Sequence, residues 1–241
     1  MLYIAILFLS YLSFFLVPYF EYKDNILERN TLSYYNKLEI LINSSYYNKC
    51  LSDCIGIEME IEFNKEKPNL KKWENFLNTQ VYDNFKWADI FFIKYDYTIP
   101  YGIEINFQPL KFDDFEKINW KPFFNLLIEE KGYTHIDTGL HLHLPYLPEK
   151  NVYQILEFLI LNKDEIIKFM KRNNITYSRF CSLDVFKYDY NRCIGKLFVL
   201  NINKSVKTIE VRGFKMTLNQ TELVNYVTFM RNLDKISLIK N

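Results

Sequence analysis

Three glutamates, Glu58, Glu60 and Glu62, alternate with apolar residues in the run IGIEMEIEF at residues 55–63. Successive side chains of an extended strand point to opposite faces. The three carboxylates would therefore share one face, and Ile57, Met59, Ile61 and Phe63 the other. Like charges this close repel, so something positive must face them or water must solvate them. The pattern recurs along the chain. Glu104 alternates with Ile103 and Ile105, His141 and His143 with Leu140, Leu142 and Leu144, and Glu210 and Arg212 with Ile209 and Val211. A sheet with one solvated face gives the same alternation. Ordinary wet faces, however, favour Lys, Thr, Ser and mixed charges, whereas these carry Glu, His and Arg. Carboxylates are hard oxygen ligands suited to Mg²⁺ or Mn²⁺. Imidazole can join them or touch a phosphate, and a guanidinium grips phosphate with two parallel hydrogen bonds. One or more divalent cations are therefore the expected positive partner. His135, the third histidine, reads as a loop residue without a role.

Strands must carry these groups, and the intervening segments must hold the strands. WADIFFIKYD (87–96), YGIEINFQPL (101–110), GLHLHLP (139–145), KLFVLNIN (196–203) and KTIEVRGF (207–214) read as strands, the last two as an antiparallel hairpin. Pro109 is expected to end its strand, because proline cannot donate to a ladder. KKWENFLNTQV (71–81) reads as a short amphipathic helix. The segment 113–132 reads as a helix with aspartates capping its start and Gly132 at its end, bent or divided by Pro122. Residues 149–173 show helical apolar spacing over many turns. A final helix spans 220–238, with Asn219 or Thr217 near its N-cap. Interspersed helices and strands with antiparallel pairing predict an α+β fold rather than a doubly wound parallel sheet.

The chain has 241 residues, enough for one sizeable core, and 49% of them are hydrophobic. Its net charge of +1 and scattered lysines give no field or basic stripe for nucleic acid, so no nucleic-acid partner is expected. With six glycines in all, neither the P-loop nor the dinucleotide fingerprint occurs. The spacings of Cys50, Cys54, Cys181 and Cys193 favour scattered free thiols over a disulfide or a structural zinc. Residues 1–20 carry no charge, and a helix of about 20 residues spans a bilayer. This segment reads as an uncleaved membrane anchor or, failing that, as a hydrophobic element packed within the fold, which would leave the protein in the cytoplasm or an organellar matrix. Residues 21–50 read as a connector and 51–241 as the folded domain.

In their order along the chain these residues resemble the amidoligases, relatives of glutamate–cysteine ligase and glutamine synthetase. The family's opening motif, glycine followed by two glutamates spaced by aliphatic residues, matches Gly56, Ile57, Glu58, Met59 and Glu60. A second motif matches Asp96, Thr98, Gly102, Glu104, Pro109 and Leu110, with Tyr97 in place of a glycine and one extra residue before Pro109. A third matches Gly139, Leu140, His141, Leu142 and His143. A fourth matches Glu210, Arg212, Phe214, Thr217, Leu218 and Asn219, with Met216 where glycine is usual. The match runs from about Ile55 to Leu233.

The resemblance implies an antiparallel sheet with a concave ligand face, flanked by helices, as in the catalytic fold of glutamine synthetase. It implies ATP and Mg²⁺ (or Mn²⁺) as cofactors. It also implies a ligase that joins a small-molecule or peptide carboxylate to an amine through an acyl phosphate. By this similarity Glu58, Glu60 and Glu210 bind metal, and Glu104 is a further ligand or a contact to the amine. His141 ligates metal or touches a phosphate, with His143 assisting at the cofactor. Arg212 stabilises the transferring phosphoryl group, Asp96 holds the amine, and Lys196 binds nucleotide. Glu62 lies beyond the motif and is expected to be structural or peripheral. Two other classes stand beside the ligase: a Zn²⁺- or Mn²⁺-dependent hydrolase built on His141, His143 and a carboxylate, and a non-catalytic, membrane-tethered binding protein.

Overall fold

The computed structural model describes residues 53–64, 68–79, 81–82, 85–86, 91–96, 99, 101–135, 138–145, 147–171, 199–203 and 208–238. All of them belong to the unit spanning 45–241. The expected anchor (1–20) and connector (21–50) lie outside the described residues, as do Lys196, Tyr97 and Thr98. Among the described residues no helix is long and apolar enough to cross a membrane.

The fold is mixed α and β, built on an antiparallel sheet. In chain order the elements are β1 (Cys54–Phe63), α1 (Leu70–Thr79), β2 (Val81–Tyr82), β3 (Phe85–Lys86), β4 (Phe91–Asp96), β5 (Gly102–Lys111), α2 (Phe112–Lys117), α3 (Lys121–Glu129), β6 (Gly132–Tyr133), β7 (Gly139–Pro145), α4 (Glu149–Leu161), α5 (Lys163–Met170), β8 (Leu200–Asn203), β9 (Thr208–Lys215) and α6 (Gln220–Leu238). The main sheet runs β4-β5-β1-β7-β9-β8, with β6 paired to the end of β1, and β2 with β3 forms a separate hairpin. Among the described residues every pairing is antiparallel.

Alternation sorts the side chains as the sequence predicts. Ile57, Met59 and Ile61 of β1, Ile103 and Ile105 of β5, Leu140, Leu142 and Leu144 of β7, and Ile209 and Val211 of β9 all join one buried apolar cluster. Trp73 and Leu77 of α1, Phe123 and Leu127 of α3, Ile155 and Leu159 of α4, and Leu223, Val227 and Met230 of α6 complete it. The aromatic bias becomes physical here: Trp120 stands 4.8 Å from Phe115, 5.2 Å from Phe107 and 6.0 Å from Phe123, ring centre to ring centre.

Two one-residue bulges interrupt the alternation. In β5, Ile57 pairs with Phe107 but Ile55 pairs with Leu110, so β5 spends one residue more than β1 across this stretch. In β9, Leu142 pairs with Val211 but Leu140 pairs with Phe214, so Arg212 and Gly213 together oppose His141. Each bulge shifts the phase by one. Leu110 and Phe214 therefore return to the core, where strict alternation would turn them outward. Pro109 accordingly does not end β5, which continues to Lys111. A bulge is where a strand tolerates proline.

The 113–132 segment is divided at Pro122, one of the two outcomes expected there: it forms α2 and α3, with Pro122 in the first turn of the second, where its missing N–H is harmless. Three further expectations are corrected. No aspartate caps α2: its N-cap is Lys111, and Asp113 and Asp114 lie in the first turn, favourable to the helix dipole. The 149–173 helix breaks at Asn162, whose backbone leaves the helical region and whose Nδ2 donates to the Phe158 carbonyl at 2.8 Å. Cys54 is disulfide-bonded, not free. The other cysteines, Cys50, Cys181 and Cys193, lie outside the described residues; sequence spacing carries no information on which cysteines meet in space. At the final helix the expectation holds. Asn219 Oδ1 accepts from the Glu222 N–H at 3.1 Å, and Thr217 Oγ1 accepts from the Asn219 N–H at 3.0 Å.

Candidate metal centre

The register stacks the ionisable residues. Glu58 lies opposite His141 on β7 and Asn106 on β5, Glu60 lies opposite Glu104, and His143 lies opposite both Gly56 and Glu210. Three adjacent strands thus bring Glu58, Glu60, His141, His143, Glu210 and Arg212 to one patch of the polar face. Gly56 makes the approach of His143 feasible: a Cβ there would stand 3.2 Å from the His143 Cβ.

Glu58 is the centre of the patch. One of its oxygens, Oε1, is 2.8 Å from His141 Nδ1, and the other, Oε2, is 3.8 Å from His143 Nε2. His141 Nδ1 is also 3.4 Å from Glu210 Oε1, and its Nε2 is 3.6 Å from Glu60 Oε1. The His141 imidazole is buried among three carboxylates (2% exposed) and is the charge partner that the row of glutamates demands. Arg212 pairs with Glu210 Oε1, while Asn201 Nδ2 donates to Glu210 Oε2 at 2.7 Å. The Gly139 N–H donates to Glu60 Oε2 at 2.6 Å. His143 Nδ1 lies 3.1 Å from Thr208 Oγ1.

Protonation follows from these contacts. Burial would raise the Glu58 carboxyl, but His141 and His143 outweigh it and hold Glu58 well below the usual carboxylate range. Burial likewise acts on Glu210, and His143, His141, Arg212 and Asn201 together bring it down. Glu60 goes the other way: burial, reinforced by Asp96 and Glu58, raises it against the pull of His141 and the Gly139 N–H. Burial also raises Glu104, helped by Glu58 and opposed by Lys94 and Asn106. For His141 burial disfavours the charge, yet Glu58 and Glu60 overcome it and raise the imidazole above its ordinary value.

Among the described residues two donor sets emerge, Glu58–Glu60–His141 and Glu58–His143–Glu210, the ligand atoms of each lying within 4.8 Å of one another. Carboxylate oxygens with one imidazole nitrogen suit Mn²⁺ or Mg²⁺ and equally Zn²⁺. Glu58 belongs to both sets and turns a different oxygen towards each histidine, so it could serve a cation in either set.

The remaining candidates lie outward. Glu104 is in neither set: its carboxylate is held by Lys94 at 2.7 Å and Asn106 at 2.6 Å. Asp96 is buried at the end of β4, opposite Gly102 and near enough to Glu60 to raise it. Glu62 hydrogen-bonds the Tyr133 hydroxyl, which this contact raises above its ordinary value, and so stands apart from the centre. Met216 packs into the core. Sequence reasoning passed over Lys94, Asn106, Asn201 and Thr208. Alternation in FFIKYD and EINF was the available signal for the first two, because each shares a face with Glu104.

Neither a protein-family model nor a curated protein matches the chain. Its class is thus defined by fold and site: a mixed α/β protein whose antiparallel sheet presents a histidine–carboxylate cluster on one face.

Proposed function

We propose that this cluster binds divalent cations and that the protein is an ATP- and Mg²⁺-dependent ligase joining a carboxylate to an amine. The observation that carries the reading is Glu58, whose two oxygens face two histidines in two donor sets. Phosphoryl transfer is mostly positioning and charge neutralisation, and paired cations about 3.5–4 Å apart supply both at phosphate oxygens. Glu58, Glu60, His141, His143 and Glu210 would hold the cations. Arg212, at the β9 side of the cluster, would neutralise the transferring phosphoryl group. Glu104 and Asp96, on the β5 and β4 side, would receive the cationic amine and take its proton as it attacks the acyl phosphate and inorganic phosphate leaves. Four strand spacings separate β4 from β9, or about 19 Å, room for a nucleotide and two substrates side by side. The motif order resembling the amidoligases, and a sheet with apolar residues on one face and ionisable ones on the other, support a glutamine synthetase-like catalytic fold with a concave ligand face.

The test is ADP release by the purified chain supplied with Mg·ATP and a mixture of amino acids, polyamines and peptides, alongside Glu60→Gln. Release by the wild type and not by the variant is expected. No release, together with no thermal stabilisation by Mg·ATP, overturns the ligase reading. The set Glu58–His143–Glu210 favours a second reading, a hydrolase with one catalytic Zn²⁺. One equivalent of tightly held zinc, with hydrolysis and no response to ATP, is its signature.

A further inference from the structure

We infer that Thr208 is a positioning residue for His143: its hydroxyl fixes the ring so that Nδ1 carries the proton and Nε2 offers its lone pair to the cluster. This rests on the proposed metal centre for its purpose, but not for its test.

His143 and His141 sit two residues apart on one strand, yet their surroundings differ. Both nitrogens of His141 face carboxylates. Among the described residues the ion-pair partner of His143, Glu58, stands on its Nε2 side. Its Nδ1 meets Thr208 Oγ1 at 3.1 Å, a hydrogen-bond distance, while its Nε2 stands 3.8 Å from Glu58 Oε2, too far for one. A hydrogen on Nε2 would face that carboxylate from beyond ordinary hydrogen-bond distance. A hydrogen on Nδ1 is taken by the threonine oxygen. The Nε2 lone pair then faces the space between Glu58 and Glu210, whose donor atoms with His143 lie within 4.8 Å of one another. Two ligands of one cation stand at most about 4.2 Å apart when each bond is about 2.1 Å, so these atoms would draw together by a few tenths of an ångström on a cation.

The fold sets this up. Glu210 lies directly opposite His143, and Thr208, two residues earlier on β9, shares its face and reaches the ring diagonally. Thr208 is buried and held between two strands, opposite Pro145 on one side and Asn203 on the other. Its β-branched side chain has little rotamer freedom. The hydroxyl is therefore fixed in place before any ligand arrives. Histidine ligands are typically oriented by a partner on the other ring nitrogen, and losing it weakens metal binding by about 10–100-fold.

Three proteins decide the matter: wild type, Thr208→Val, which keeps the shape and drops the hydroxyl, and Thr208→Ser, which keeps the hydroxyl. In metal-free, ¹⁵N-histidine-labelled full chain, the His143 ring nitrogens are assigned by comparison with His143→Gln. The proton is expected on Nδ1 in wild type and Thr208→Ser, and redistributed towards Nε2 in Thr208→Val. Mn²⁺ affinity read by electron paramagnetic resonance should fall about 10–100-fold in Thr208→Val and recover in Thr208→Ser. An unchanged tautomer in Thr208→Val overturns the inference. The expected tautomer shift in Thr208→Val together with no Mn²⁺ binding by wild type upholds the role of Thr208 in orienting the ring and counts against the metal centre instead.

Discussion

Glu58→Gln and Glu60→Gln are chemically the same substitution on alternate residues of one strand, yet the first alone should cost stability when no cation is present. Glu58 is held well below the usual carboxylate range. A group with a depressed folded-state value contributes stability above its unfolded value, hence at neutral pH. Its loss removes the charge-assisted contact to His141 at 2.8 Å, worth about 1.5–3 kcal/mol in general. Relief of repulsion at Glu60 and Glu104, both pushed up by Glu58, returns part of that. A net loss of about 2 kcal/mol lowers Tm by about 4–8 °C for a unit of this size. Glu60 is raised, so its charge opposes folding at neutral pH, and a glutamine carbonyl can still accept the Gly139 N–H. Glu60→Gln should therefore leave Tm unchanged or raise it. The assay is differential scanning fluorimetry of the full chain at pH 7 with chelator. Mn²⁺ is then added at about 100 times its Kd, where a single site stabilises by about 2.7 kcal/mol. Both variants should lose most of that increment. A Glu60→Gln Tm lower than that of Glu58→Gln in chelator refutes the electrostatic reasoning.

Glu60, Glu104 and His141 are all raised in the folded chain from ordinary values of 4.5, 4.5 and 6.5. Stability from such groups is fully present below those values and is lost as pH rises through the raised ones. In chelator Tm should accordingly fall as pH rises above 4.5 and on past 6.5, and saturating Mn²⁺ should reverse the slope because ligands must shed protons to bind metal. A flat profile in chelator contradicts the assigned shifts. Separately, Gly102→Ala would place a Cβ 2.6 Å from the Ile99 Cβ and 3.0 Å from its carbonyl oxygen, in the turn closed by the Gly102 N–H to Ile99 carbonyl bond at 2.9 Å. Overpacking of this kind costs about 1–3 kcal/mol, which thermal melts resolve easily. An unchanged Tm would mean that the turn is not packed as described.

The sequence made the sheet readable because a period of two is unambiguous when one face is aliphatic and the other ionisable. Glu58 and His141 could be assigned to a common face, although nothing in their spacing of more than eighty residues says that they meet. Their contact is a property of strand order, with β1 between β5 and β7, which local pattern does not encode. The helix breaks were less legible. Pro122 announced its interruption, but Asn162 sits in an apolar-periodic run, and only its side chain's bond back to Phe158 marks the end of α4. Thr208 was invisible as a functional candidate, because a threonine in a strand is ordinary until its hydroxyl is seen against a histidine ring. Cys54 was misjudged because a disulfide depends on proximity in space.

The bulge at Arg212–Gly213 has a consequence for how this strand tolerates changes in length. Glycine is the surplus residue there. A chain one residue shorter at Gly213 would run as an unbroken alternation, with Ile209, Val211 and Phe214 still turned inward and Glu210 still facing His143. What would change is the local bend and twist that aim Arg212 at the cluster. On β9 the instructions for folding and for aiming are therefore written in different currencies, side-chain parity for one and residue count for the other. An indel here would first be felt in the chemistry of the polar face, with the core the last to register it.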